Sequence, residues 1–345
     1  MEIHKYLESK LKNCSQYALT KEDQEYIEKY SLKDFLFKEI SRKKFRRWKL
    51  SDPAREKIDK ALDYCLAENK PIIFRSRFGG YKLWRFPTTP EVDWAEFFML
   101  CHYIEYLAPI IAAYKPGIKL YFASDDVFVE RLDNIPKSHT EAYYQSFQKL
   151  LNQFRKYIPK NFEVDMIRHS SLFKSRKEFE LEFDQSVKNA AKKENWDIKR
   201  QSQPLEAALK TSEMNINWNG VEDLTKLSDS EKEEKIKQSV LYHDALVQMP
   251  TIRQWSSTPD KIAIFTTPLS AVVPIGVTKN SVVRFWVGTG VLEKRNDKYI
   301  EHVLSISQYE SIKNIPFEEI KINFIPLHNF SNIRLYKQML NFSNK

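Results

Sequence analysis

Glycine is nearly missing from this chain: there are seven glycines among 345 residues, against a usual frequency of about 7%. Neither G-x-G-x-x-G nor G-x-x-x-x-G-K-[ST] occurs, which excludes a dinucleotide fingerprint and a Walker loop. Cysteine is rarer still. Cys14, Cys65 and Cys101 stand apart with no C-x-x-C; a disulfide framework and a zinc ribbon are therefore not expected, and each cysteine reads as a small buried hydrophobe in a reducing compartment. The N-terminus, MEIHKYLESKLKNC, has no apolar signal core. No run reaches the ~20 apolar residues of a bilayer span, so a cytoplasmic protein with no membrane partner is expected. The histidines form no H-E-x-x-H or H-x-x-x-H pattern, no serine sits in G-x-S-x-G, and no internal repeat is visible.

What is present is a large apolar and aromatic content, 42% and 13%, enough for a sizeable core. Lys and Arg (55) outnumber Asp and Glu (46), giving a net charge of +9. That excess favours anionic partners without choosing among phosphorylated metabolites, nucleic acid and acidic surfaces.

The pattern divides the chain into four stretches. Residues 1–50 are polar and helical, with helix starts at Thr20 and Ser31. Residues 51–173 read as an α/β core. A helix begins at Asp52-Pro53, with Ile58, Ala61, Leu62, Cys65 and Leu66 as its apolar stripe. Pro71–Phe74 is a short strand, Trp94 to about Tyr114 an apolar central helix, and Ile118–Ala123 a second strand, which together make a βαβ unit with parallel strands. A helix over 137–157 and a strand over 162–167 follow. Residues 174–250 form a charged helical segment, or a lid, with a capping box at Ser230–Glu233. Residues 251–345 are β-rich and complete the core; Lys261–Thr266, Ala271–Val277, Ser281–Val287, Val291–Lys294 and Tyr299–Ile306 read as an antiparallel meander, with Ile320–Ile325 as one more strand. The fold class expected is α/β, a mixed sheet built on a βαβ core in the N-terminal half.

Chemistry concentrates between Pro71 and Arg131. The first strand leads into a loop bearing Arg75, Arg77, Gly79, Gly80, Lys82 and Arg85. Guanidinium forks suit phosphate and carboxylate, glycines admit close backbone approach, and loops at the carboxyl ends of parallel strands are where α/β proteins place ligands. The plainer reading is a surface turn paired with Glu91, Asp93 or Glu96. Asp93 and Glu96 share a helix face and serve either as a capping pair or as carboxylates presented to a substrate amine. Ser124-Asp125-Asp126 closes the second strand; it can hold an ammonium, act as a general base or cap a helix, and Glu130 and Asp133 nearby match no metal loop. His243, beside Asp244, is a candidate acid or base. Arg253 and Lys261 are cations beside the β-rich runs. The run from Arg42 to Lys49 is a basic cluster that could grip RNA or form a solvated helix face with Phe45 and Trp48 inward. Gly276, Gly288 and Gly290 mark a hairpin or a ligand's close approach.

The layout resembles the isonitrile synthase family, the pyoverdine/dityrosine biosynthesis proteins. In that family a strand and a cation-bearing loop precede a PD-x-G-E-like helix start, a helix, a Y-x-P-G turn and a strand ending in S-D-G. The corresponding residues here are Pro90-Glu91-Val92-Asp93-Trp94-Ala95-Glu96, Tyr114-Lys115-Pro116-Gly117 and Ser124-Asp125-Asp126. The likeness covers residues 71–131. Ala95 and Asp126 replace family glycines, and Phe78-Gly79-Gly80-Tyr81-Lys82 replaces a Lys-Ser-Pro-Asn-like loop, which puts substrate and reaction in question. The resemblance implies an enzyme joining an amine, such as that of an amino acid, to a carbon of a pentulose phosphate, with no redox cofactor. Arg75, Arg77, Lys82 and Arg85 would bind phosphate or carboxylate, and Asp125 with Asp93 or Glu96 would orient the amine. Two other readings compete: a nucleic-acid-binding or RNA-modifying protein using the basic surface, and a metal-dependent nucleotidyl or phosphoryl transferase built on Asp125 and Asp126.

Overall fold

The computed structural model describes residues 3–13, 17–46, 48–77, 90–124, 126–192, 205–265, 271–275 and 288–340. The fold is a mixed α/β arrangement with two sheets. Three short helices, α1 (Ile3–Lys12), α2 (Lys21–Lys29) and α3 (Leu32–Ile40), open the chain. Thr20 caps α2 through a capping box with Asp23, and Ser31 caps α3, at the two starts read from the sequence. Helix α4 (Asp52–Ala67) is capped by Ser51 and buries Ile58, Ala61, Leu62 and Cys65.

Strand β1 (Ile72–Arg77) leads to the central helix α5 (Trp94–Ala113). By length and composition α5 could cross a bilayer, but 78% of its apolar window is buried within the fold. It is apolar on nearly all sides because it is packed on nearly all sides. Gly117, at φ +77°, turns the chain into β2 (Ile118–Ser124). Helices α6 (Asp126–Asp133) and α7 (Lys137–Phe154) lead to β3 (Phe162–Arg168). The charged middle forms α8 (Arg176–Ala191), α9 (Leu205–Asn215), α10 (Asp229–Gln248) and α11 (Pro250–Ser257) before β4 (Lys261–Phe265) and β5 (Val272–Pro274).

The first sheet is parallel throughout, in the order β3-β2-β1-β4-β5. Its two faces differ. Ile72, Phe74, Leu120, Phe122, Val164, Ile262 and Ile264 form a buried side in the main core. The alternate positions carry Arg75, Lys119, Tyr121, Glu163 and Lys261. There Lys119 pairs with Glu163 at 2.7 Å, and the Tyr121 hydroxyl donates to Glu163 at 3.1 Å. The second sheet, in the order β7-β6-β9-β8, comprises β6 (Thr289–Arg295), β7 (Lys298–Leu304), β8 (Glu318–Lys321) and β9 (Asn332–Tyr336), with α12 (Ile306–Ile312) between β7 and β8.

Several expectations are corrected. Strand β1 runs three residues past Phe74, so Arg75 and Arg77 belong to the strand rather than to the loop. The C-terminal runs do not form one meander: β4 and β5 extend the parallel sheet, while β6 and β7 pair as an antiparallel hairpin in the other. Ser281–Val287 lies outside the described residues. The predicted strand over 320–325 is observed as β8 at 318–321, and β9 had no predicted counterpart. The capping box of α10 uses Ser228 and Glu231, one half-turn before Ser230. Residues 43–45 form a single 3-10 turn; Phe45 is buried but Trp48 is 48% exposed. Arg42 pairs with Glu39 at 2.8 Å and Lys44 with Glu105 at 2.7 Å, and Arg46 donates to the Ser41 carbonyl at 2.8 Å. The backbone of Arg46 also bridges to Ile275, beside β5 at the sheet edge.

Candidate functional site

The carboxyl ends of β1, β2 and β3 lie side by side. Arg77 is in register with Ala123, and Ser124 with Arg168. On the other flank of β1, Ser76 is in register with Ile264 of β4. The chain leaves β1 for β2 on one side and joins β4 on the other, so the β1–β4 boundary is the reversal point of the sheet, where open α/β folds place their ligands. Gly79, Gly80, Lys82, Arg85 and Asp125 lie outside the described residues. Of the candidates that can be placed, Arg75, Arg77, Ser124 and the start of α6 at Asp126 share this rim or the strand positions leading to it.

Ser124 is buried and lies on the apolar side of the sheet. Its neighbour across the register, Arg168, grips Glu141 of α7 with two bonds of 2.7 Å and stacks over Tyr144 at 3.7 Å. Helix α6 is anchored by Phe128, which packs on Phe179 and Phe183 of α8 in a second core shared with Leu246 and Met249. Asp133, at the end of α6, accepts from Ser239 of α10 at 3.3 Å. Thus α10, carrying half-buried His243 and Asp244, packs on the helix that leaves the β2 end.

Asp93 and Glu96 form a capping box at the start of α5. Asp93 Oδ1 accepts from the Ala95 amide at 2.7 Å, and Glu96 Oε2 from the Asp93 amide at 2.8 Å. The same two carboxylates tie α5 to other elements. Asp93 Oδ2 accepts from the Thr289 hydroxyl at 2.8 Å, Oδ1 also from the Gly290 amide at 3.3 Å, and Glu96 Oε1 from the Tyr143 hydroxyl at 3.2 Å. Each carboxylate oxygen accepts from the protein itself, so these surroundings supply a structural role for both residues. The crowding at Gly290 has the same origin: a Cβ there would stand 2.4 Å from the backbone of Trp94 and Ala95. The close approach read from the glycine cluster is, at Gly290, that of β6 to α5.

The polar face of the parallel sheet brings Lys261, a candidate from the sequence, together with Lys57, which the sequence did not single out. Lys57 of α4 and Lys261 of β4 both reach Thr258, at 3.0 Å to its carbonyl and 2.8 Å to its hydroxyl. Lys261 is 7% exposed, and its ammonium lies 5.1 Å from the Trp255 ring centre. His169, just past β3, is buried with its ring edge-on to Trp255 at 6.3 Å. Burial pushes the pKa of both lysines down, and the charge of Arg75 pushes it further, against the pull of Asp260. Arg253 is exposed on α11, away from this burial. Lys57 carried no signal in the sequence because it lies among the exposed charges of an amphipathic helix. Among the described residues, no three His, Cys, Asp or Glu side chains gather as a metal site.

No protein-family model matches this chain, and no curated protein matches its sequence. Among solved structures, the chain is similar to the PvcA protein from Pseudomonas aeruginosa, at 15% identity and a TM-score of 0.57, over 89% of this chain and 100% of that one. At this identity the likeness is one of fold.

Proposed function

We propose that this chain is a biosynthetic enzyme of the isonitrile-synthase type, joining the amine of an amino acid or related amine to a carbon of a pentulose phosphate. The observation that carries the reading is the juxtaposition of the β1 and β2 carboxyl ends, which bear the family-like motifs of residues 71–131, within a fold shared with PvcA. In this reading Arg77 and the cations after it hold an anionic group of one substrate. Asp125 takes a proton from the attacking amine, or holds it as ammonium until attack. His243 is available as a second proton carrier on the helix packed against α6. Asp93 and Glu96 fix the start of α5 and leave the proton chemistry to Asp125. The changed residues Ala95 and Asp126 make the amine partner the part of the reaction in which departure from the family is expected.

The test is a thermal-shift panel of amino acids, simple amines and pentulose phosphates, singly and in pairs. A two-substrate enzyme gives a larger rise for one pair than for either member alone, and mass spectrometry of that mixture shows a condensed product. Arg77→Ala and Asp125→Asn should abolish product formation with the melting temperature nearly unchanged. If no pair exceeds its members, or if Asp125→Asn unfolds the protein, the reading is wrong. The nucleic-acid reading draws less support, because Arg42, Lys44 and Arg46 of the basic cluster are engaged with Glu39, Glu105 and Ser41.

A further inference from the structure

We propose that strand β8 is an interface for a second copy of this chain: two β8 strands pair edge to edge, antiparallel, about a two-fold axis at Ile320. The inference does not rest on the condensation reading and concerns assembly alone.

The chain engages its other sheet edges itself. At β3, Arg155 donates to the Val164 carbonyl at 2.9 and 3.2 Å. Beside β5, Arg46 bridges to Ile275. At β7, the Tyr6 hydroxyl of α1 donates to Glu301 at 2.7 Å and reaches the Tyr299 carbonyl at 3.5 Å. Strand β8 differs: among the described residues, β9 is its one strand partner, and nothing bonds to its outer side.

The ladder fixes which groups face outward. The Ile322 amide donates to the Ser331 carbonyl of β9 at 2.7 Å, in the register that sets Ile320 opposite Ile333. Bonded and non-bonded pairs alternate in an antiparallel ladder, so the N–H and C=O groups of Glu319 and Lys321 point away from β9. Their side chains are exposed, on the side of the sheet opposite buried Ile322. Among the described residues neither has an ion pair within the chain, whereas Glu318 pairs with Lys337. Arg334, across from Glu319 on β9, is engaged with Tyr309 and the Phe317 ring.

Short, charged edges ordinarily repel a second strand. Here the charges choose a register instead. Outward-facing residues must meet outward-facing residues, so registers differ by steps of two. With Ile320 opposite Ile320 of the second copy, Glu319 meets Lys321 and Lys321 meets Glu319, each pair also exchanging backbone hydrogen bonds. A slip in one direction sets Glu319 against Glu319; a slip in the other sets Lys321 against Lys321. Opposite charges directly across a sheet stabilise it and like charges destabilise it, so the two-fold register is the one that this edge favours. The same register brings Phe317, 39% exposed, toward Asn323 of the second copy, which lines an open groove with His4 and Ser331.

The experiment is sedimentation velocity of the full-length protein over a concentration series. A reversible monomer–dimer equilibrium is expected, with a Kd on the order of micromolar because the contact is small, and it weakens with added salt. Glu319→Lys and Lys321→Glu each set like charges together twice, and each should weaken the dimer by about tenfold or more. The double variant should recover the parent's affinity. The two single variants, mixed, should associate with each other more tightly than either does with itself, because every cross-strand pair is again Lys opposite Glu. Should either reversal fail to fold, Glu319→Gln and Lys321→Gln carry the test with a smaller loss. A monomer at every concentration, which would leave this edge to a strand of another protein, overturns the proposal. So does a dimer whose affinity these changes leave unaltered, or a mixture no tighter than its components.

Discussion

Asp93 and His102 illustrate how little a titratable side chain reveals before its neighbours are known. Asp93 has the sequence context of a helix cap and of a substrate ligand alike; the bonds from Ala95, Thr289 and Gly290 fill its oxygens with structural partners. His102 lies inside α5 with its ring 5.1 Å from that of Phe45, and burial pushes its pKa down to about 4. The pH dependence follows from that direction. An unfolded histidine binds its proton near pH 6.5, so between there and pH 4 the unfolded chain holds a proton that the folded chain does not. Stability from this group is therefore complete above pH 6.5 and is lost as the pH falls toward 4, by about 3 kcal/mol in all. His102→Gln should lose correspondingly less stability in urea unfolding between pH 7 and pH 4.5, and an equal loss in parent and variant would show that His102 is not the group responsible. That His102 is a core residue was legible from its apolar helix; the size of its shift was not, because it depends on Phe45, more than fifty positions away.

At the scale of elements, local chemistry was readable wherever it was self-contained. Thr20, Ser31 and Asp93 cap helices because their side chains reach amides two or three residues on. Ser230 had the same spacing to a glutamate as Ser228, and local sequence could not separate the two boxes. Strand β1 was read too short because Arg75 and Arg77 look like loop residues; in the sheet they alternate with buried Phe74 and Ser76, whose hydroxyl bonds Tyr103 at 2.9 Å. The joint between β6 and α5 gives a sharp prediction. Gly290→Ala would push a Cβ into the backbone of Trp94 and Ala95, and backbone cannot give way as a flexible side chain can. Overpacking of this kind costs about 1–3 kcal/mol, and the same shift weakens the bond from the Gly290 amide to Asp93. The denaturation midpoint should fall accordingly; a midpoint equal to that of the parent would mean that the two elements are not in contact.

Among the described residues, two of the three buried apolar clusters bear on the proposed site. The larger wraps α5 and the apolar side of the parallel sheet; the smaller joins α6 to α8, α10 and α11 through Phe128, Phe179, Phe183, Leu246 and Met249. The smaller core fixes the helix that starts beside Asp125, so its packing reaches the proposed chemistry without touching it. Phe183→Ala should cost about 3–5 kcal/mol and lower product formation in step with the fraction folded. Loss of product in a fully folded variant would instead place Phe183 closer to the substrate than its packing suggests.

By itself the sequence determined the α/β class, the βαβ unit over residues 71–124, the capped helices and the apolar character of α5. Each rests on hydrophobic periodicity, turn chemistry or capping, all of which act within a few residues. Only the tertiary structure decided that β4 and β5 join the parallel sheet instead of a meander, that the carboxylates of Asp93 and Glu96 are consumed by β6 and α7, and that Lys57 and Lys261 meet at Thr258. Those outcomes depend on strand register and on contacts between segments far apart in the chain, and no local pattern encodes which partner will be there.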